Sequence, residues 1–180
     1  MSESFSEVLA NADCLFNKRE VQAAVMRMAA DIRRDLADST PLVLSVMTGG
    51  LIPTGMLLEH LDFLLEIDYI HATRYQEQTQ GGILDWRVKP HKPLVGRHVL
   101  IIDDILDEGI TLREIVHYCQ EQGAASVRTA VLSIKNHGRP HAIDADYVGL
   151  ELPSRYVFGC GMDYKGYFRN FYEIYAVQGM

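Results

Sequence analysis

With 180 residues, 48% of them hydrophobic, the chain can bury a core of its own and has the common size of one domain. Its formal net charge of −7 argues against broad binding to nucleic acid or to an anionic membrane, so an anionic ligand has to be held by a local pocket. Three widely spaced cysteines, Cys14, Cys119 and Cys160, suggest neither a disulfide framework nor a paired-cysteine zinc site.

The N-terminal stretch is acidic, without a basic start, and no run of about 18 apolar residues occurs, which predicts a cytoplasmic protein without a membrane span. Asn17 and Glu20 then make an N-cap and capping box. Val21, Val25, Met28, Ile32 and Leu36 share one stripe, predicting a packing helix over 17–36 that carries no chemistry. Residues 41–47, PLVLSVM, are short and apolar, and Gly49, Gly50 and LIPTGMLLEHL follow: a strand, a glycine turn and a helix. LLEIDYIHA predicts the next strand. The polar, glycine-containing and proline-ended stretch 74–93 predicts a mobile loop or hairpin. HVLIID predicts a strand, TLREIVHYCQEQ a helix closed by Gly123, and SVRTAVLSIK another strand. DYVGLEL and YEIYAVQ add further strands. Strands alternating with helices predict a mostly parallel α/β sheet covered on both faces, in a single domain over 1–180.

Chemistry concentrates in VLIIDDILDEGITL, residues 99–112, where an apolar strand opens onto four carboxylates. In parallel sheets ligands bind beyond the carboxyl ends of the strands, beside the free N–H groups of helix N-termini. One reading of the acids is a solvated turn and helix N-cap. The other takes Asp107 to Thr111, an acid, X, Gly, X, hydroxyl loop before a helix, as a phosphate cradle. Two acids ahead of such a loop would repel a phosphate unless sugar hydroxyls or a hydrated Mg2+ intervene.

This segment resembles the phosphoribosyl-diphosphate (PRPP) binding motif of type I phosphoribosyltransferases. SVMTGG resembles the pyrophosphate loop of the hypoxanthine-guanine branch, and SIK and YVGLELPSRYVFGCGMDYKGYFRN resemble its purine-site segments, so the likeness covers 41–177. It implies a mostly parallel sheet flanked by helices, with a small hood region formed from the chain ends. The implied reaction is Mg2+-dependent transfer of phosphoribosyl from PRPP to N9 of hypoxanthine or guanine, giving IMP or GMP and pyrophosphate, in purine salvage. A homodimer or homotetramer is expected, with no nucleic-acid or membrane partner. Alternatives are a xanthine-preferring enzyme and a non-catalytic, PRPP-sensing regulator of the same fold.

Residue by residue, the resemblance gives Asp103 and Asp104 to the ribose hydroxyls and the metal. Asp107 is implied beside the purine N7 as general base, or as a carboxylate facing the cationic sugar. Glu108, Gly109, Ile110 and Thr111 form the 5′-phosphate loop, with Glu108, in place of a small hydroxyl residue, expected to point outward. Thr48 stands where many relatives have Lys, so the backbone of Thr48, Gly49 and Gly50 is left to hold pyrophosphate, with Arg169 as the added charge. Lys135 is implied as donor to the purine 6-oxo group, Tyr156 as the stacking ring, and Val157 as the backbone reader of the purine edge. Asp163 is implied as holder of a second Mg2+ through water, beside the guanine amino group. Tyr75 is placed on a closing loop. Each also has a plainer reading, as strand end, core ring or turn residue.

Overall fold

The computed structural model describes residues 4–74 and 84–179. Ser4 caps the first helix, Phe5–Asn11 (α1), in a reciprocal capping box with Glu7, and a short strand Asp13–Phe16 (β1) follows. Asn17 Oδ1 accepts from the backbone N–H groups of Arg19 and Glu20 at 3.0 and 3.1 Å, and so starts the helix Lys18–Leu36 (α2). Its stripe of Val21, Val25, Met28, Ile32 and Leu36 is buried, as the 3.6-residue period requires.

Next come Leu42–Val46 (β2), helix Leu51–Leu58 (α3), strands Glu66–Arg74 (β3), Leu84–Val88 (β4) and His98–Leu106 (β5), and helix Ile110–Glu121 (α4). Strands Ser126–Asn136 (β6), Tyr147–Pro153 (β7), Val157–Phe158 (β8) and Ile174–Ala176 (β9) complete the chain. The main sheet has the order β4-β3-β2-β5-β6-β7, parallel except for β4. The stretch expected as a loop or hairpin thus contains a strand, antiparallel to β3. Tyr75, given to a closing loop, lies outside the described residues.

Alternation sorts the apolar side chains between two layers. Val43, Leu100, Ile102, Ala130 and Leu132 face α2 and α3, while Leu42, Leu44, Val99, Ile101 and Val131 pack with Leu112, Ile115 and Cys119 of α4. The hood is a second, antiparallel sheet, β1-β9-β8, built from both chain ends and sealed by Val8, Phe158, Tyr164 and Val177. Asp68 on β3 fixes the run from β4 to β5: its buried carboxylate accepts from the N–H groups of Tyr69, His91 and Lys92 at 2.8, 2.7 and 2.9 Å.

Candidate active site

Parallel strands all deliver their carboxyl ends to one edge of the sheet, and that edge carries the chemistry. β2 runs out into Met47 and Thr48, joined by a cis peptide, and Gly49. Asp103 and Asp104 stand near the carboxyl end of β5, and Lys135 near that of β6. Asp104 lies directly against Gly49, where any side chain would collide with its carboxylate. The hood closes on the same point: at Gly161, φ +105°, a Cβ would run into the Gly49 carbonyl and approach Asp104 Cβ at 3.0 Å.

After β5 the chain turns through Asp107 and Glu108 into Gly109, whose φ of +80° opens α4 without a side-chain cap. The N-terminal N–H groups of α4 therefore face the loop with no capping side chain, an arrangement suited to an anion. Ala142 N–H donates to the Glu108 carbonyl at 2.8 Å, tying the loop to the segment after β6, and Glu108 is exposed. That segment also braces the site's acid and base. His137 Nε2 donates to the Asp107 carbonyl at 3.2 Å, because its Nδ1 accepts from the Arg139 N–H at 3.3 Å. His141 Nε2 meets the Lys135 carbonyl at 3.0 Å.

Two hollows result. The larger, about 480 Å³, runs from Thr48 and Gly49 past Asp103 and Asp104 to Gly109 and Thr111. The smaller, about 210 Å³, lies under the hood among Lys135, Tyr156, Val157 and Met162. Asp104, Ile105, Asp107 and Asp163 line both, so a ligand spanning the two would pass three carboxylates.

Burial first, and the neighbouring Asp104 charge second, push the Asp103 carboxyl well above the usual carboxylate range. Asp104 is also raised by burial, against the pull of its hydrogen bond with Asp103 and of the Arg169 guanidinium. Lys135 Nζ donates to Asp107 Oδ2 at 2.7 Å. Arg169 is occupied as well: Nη2 pairs with Asp163 Oδ1 at 2.6 Å, Nη1 donates to the Gly161 carbonyl at 2.6 Å, and Asp104 Oδ2 is 3.9 Å away. The second Asp163 oxygen accepts from Gly166 N–H at 2.7 Å. Val157 is buried in β8, and the Tyr156 ring, 43% exposed, meets Tyr164 edge-on at 5.5 Å.

The described candidates from the sequence therefore converge on one site; Gly50 and Ile110 are absent from both linings, Gly50 standing at the start of α3 and Ile110 opening α4 behind Gly109. Sequence reasoning missed His71, Thr73 and Arg87, which line the larger hollow, and the His137 and His141 braces. The alternation of Trp86 and Arg87 in LDWRV was a signal for a strand. Nothing local marks the two histidines.

A parallel sheet that brings an acid pair, a phosphate-type loop and a glycine turn to one edge, under an antiparallel hood, is the architecture of a type I phosphoribosyltransferase. The phosphoribosyl transferase domain matches residues 11–165. The chain is 32% identical to the hypoxanthine-guanine phosphoribosyltransferase of Streptococcus pneumoniae over 157 residues, 87% of each chain. It is equally identical, over 87% of its length and 86% of the relative's, to the hypoxanthine-guanine-xanthine enzyme of Tritrichomonas foetus. A variant of the Trypanosoma cruzi hypoxanthine enzyme, solved with its product IMP, superposes with a TM-score of 0.85 at 26% identity, over 94% of this chain and 93% of that one. The chain belongs to the phosphoribosyl transferase family, in its hypoxanthine-guanine branch.

Proposed function

We propose that this enzyme transfers the phosphoribosyl group of PRPP to N9 of hypoxanthine or guanine, with Mg2+, yielding IMP or GMP and pyrophosphate. The observation that carries this reading is the pair of joined hollows, a polar one at a helix N-terminus and a base-sized one walled by Lys135 and Tyr156. The N–H groups of the Gly109–Thr111 turn would hold the 5′-phosphate. Lys135 would turn from Asp107 to donate to the purine 6-oxo oxygen, with Tyr156 against the ring and Val157 at its edge. Asp107, freed of that ion pair, would accept the proton leaving N7 while its charge faces the sugar, which becomes cationic as pyrophosphate departs.

Mg2+ fits the donor set. Asp103 and Asp104 offer hard oxygen atoms whose charges are poorly compensated, and a PRPP-borne cation needs only one or two protein carboxylates. Asp163 could join by exchanging its contact with Arg169. Bound Mg2+ would supply charge neutralisation of the leaving pyrophosphate. A homodimer or homotetramer belongs to the same proposal.

The test is a panel of hypoxanthine, guanine, xanthine and adenine with PRPP and Mg2+. Nucleotide is expected from hypoxanthine or guanine and not from adenine. Turnover confined to xanthine would move the assignment to a xanthine enzyme, a reading that the Tritrichomonas relative keeps in play. No nucleotide from any base would leave a PRPP-binding regulator.

A further inference from the structure

The charge balance of the larger hollow points to a residue that no part of the PRPP motif includes. Among the described residues, five acidic side chains line it, Asp103, Asp104, Asp107, Glu108 and Asp163, against two guanidinium groups, Arg87 and Arg169. Arg169 is held by a 2.6 Å ion pair and a 2.6 Å hydrogen bond. Among the described residues, the partner of Arg87 is Asp85, at 3.6 Å, with the two side chains 56% and 46% exposed. Such a pair is weak and readily exchanged.

Topology explains how this arginine reaches the site. β4 runs against β3, with Leu84 opposite Arg74 and Trp86 opposite Ala72, so its beginning lies at the edge where the parallel strands end. Trp86 packs on Tyr118 of α4 at 4.9 Å between ring centres. The pleat turns the next residue to the other side, and Arg87 lines the hollow together with Thr48, Gly49, His71 and Thr73. It does not line the smaller hollow, where Lys135 and Tyr156 stand.

On the strength of the proposed function, we infer that Arg87 is a binding residue for the diphosphate of PRPP, supplying from the edge strand the cation that the Thr48–Gly50 turn lacks. A guanidinium presents a planar fork of donors that matches phosphate oxygens, and it keeps its charge at every working pH. PRPP would therefore need to displace only the loose Asp85 contact to engage Arg87.

Arg87→Gln and Arg87→Lys test this by separating the diphosphate from the rest of the ligand. IMP keeps the base, the ribose and the 5′-phosphate and has no diphosphate. Arg87→Gln is expected to raise the Kd for PRPP with Mg2+, and the KM for pyrophosphate in the reverse reaction with IMP, by about 10-fold or more, the loss of one charge-assisted contact. The Kd for IMP by calorimetry should stay within about twofold, less than the loss of any one such contact, and Arg87→Lys should recover part of the PRPP affinity. Unchanged PRPP affinity overturns the assignment, and so does an equal loss for IMP and PRPP, which would place Arg87 at the 5′-phosphate or in the fold. Melting temperatures of both variants show whether the fold is retained. Direct PRPP calorimetry decides the role of Arg87 even if wild-type protein turns over none of the four bases, the result that would sink the proposed function instead.

Discussion

Asp107 and Lys135 meet at 2.7 Å, with the Lys135 side chain only 17% exposed, so each sets the charge the other feels. Asp107→Asn keeps the shape and removes the anion. The expected fall in kcat is about 10-fold to 1,000-fold, with smaller changes in KM. A steady kcat with a raised KM for PRPP would make Asp107 a ligand contact alone. Lys135→Ala should lower kcat/KM for hypoxanthine about 10-fold to 100-fold and affect adenine far less, because an ammonium cannot accept from an amino group. The ratio of the two is the quantity to measure. Asp107 was legible in the sequence because acids, glycine and a hydroxyl sit at fixed spacing after an apolar strand, and Lys135 through the resemblance of SIK to a purine-site segment. Arg87 and the braces His137 and His141 were not, because their roles arise from strand pairing and a return of the chain that no local pattern encodes.

Among the elements, α2, β2, β5 and β6 followed directly from apolar period and caps. β1 did not: its four residues owe their pairing to β9, far along the chain, and the one local hint nearby was the box of Ser4 and Glu7. The β4 edge strand falls in the stretch expected as a loop or hairpin, where LDWRV alternates apolar and polar residues, but its partner and register along β3 are not written in those five residues. Its seating depends on Asp68, which burial would push up but whose three N–H donors hold below the usual carboxylate range. A carboxyl lowered in the folded state stabilises the fold above its unfolded value, and that contribution is lost as pH falls through the folded value. Asp68→Asn should therefore lower the melting temperature at neutral pH, by a loss of about 1–3 kcal/mol. The gap to wild type should narrow on acidification, and equal gaps at neutral and strongly acid pH would assign the effect to packing.

For the molecule as a whole, site and stability pull in opposite directions at Asp103 and Asp104. Their carboxyls are raised in the folded state, so at these two positions the fold binds protons more tightly than the unfolded chain, and their contribution to stability falls as pH rises past the ordinary carboxylate range toward the raised values. Replacing both with Asn should leave the unliganded melting temperature at neutral pH equal to or above that of wild type, with the difference vanishing in acid. The same double variant should lose the increase in melting temperature expected of the wild type with PRPP and Mg2+. Retention of that increase would remove both acids from the PRPP site. The parallel α/β class was readable from alternating elements, whereas the strand order β4-β3-β2-β5-β6-β7 and the register of the hood depend on contacts between distant segments.

The seat of the hood on the main sheet is a glycine against a glycine, Gly161 on Gly49, with no side chain to yield between them. A chimera that grafts the hood of one relative onto the sheet of another, to change the choice of base, would have to inherit both positions as a matched couple. A single added methyl there would lift the base-binding half off the sugar-binding half, and the hybrid would fold with its two half-sites out of alignment.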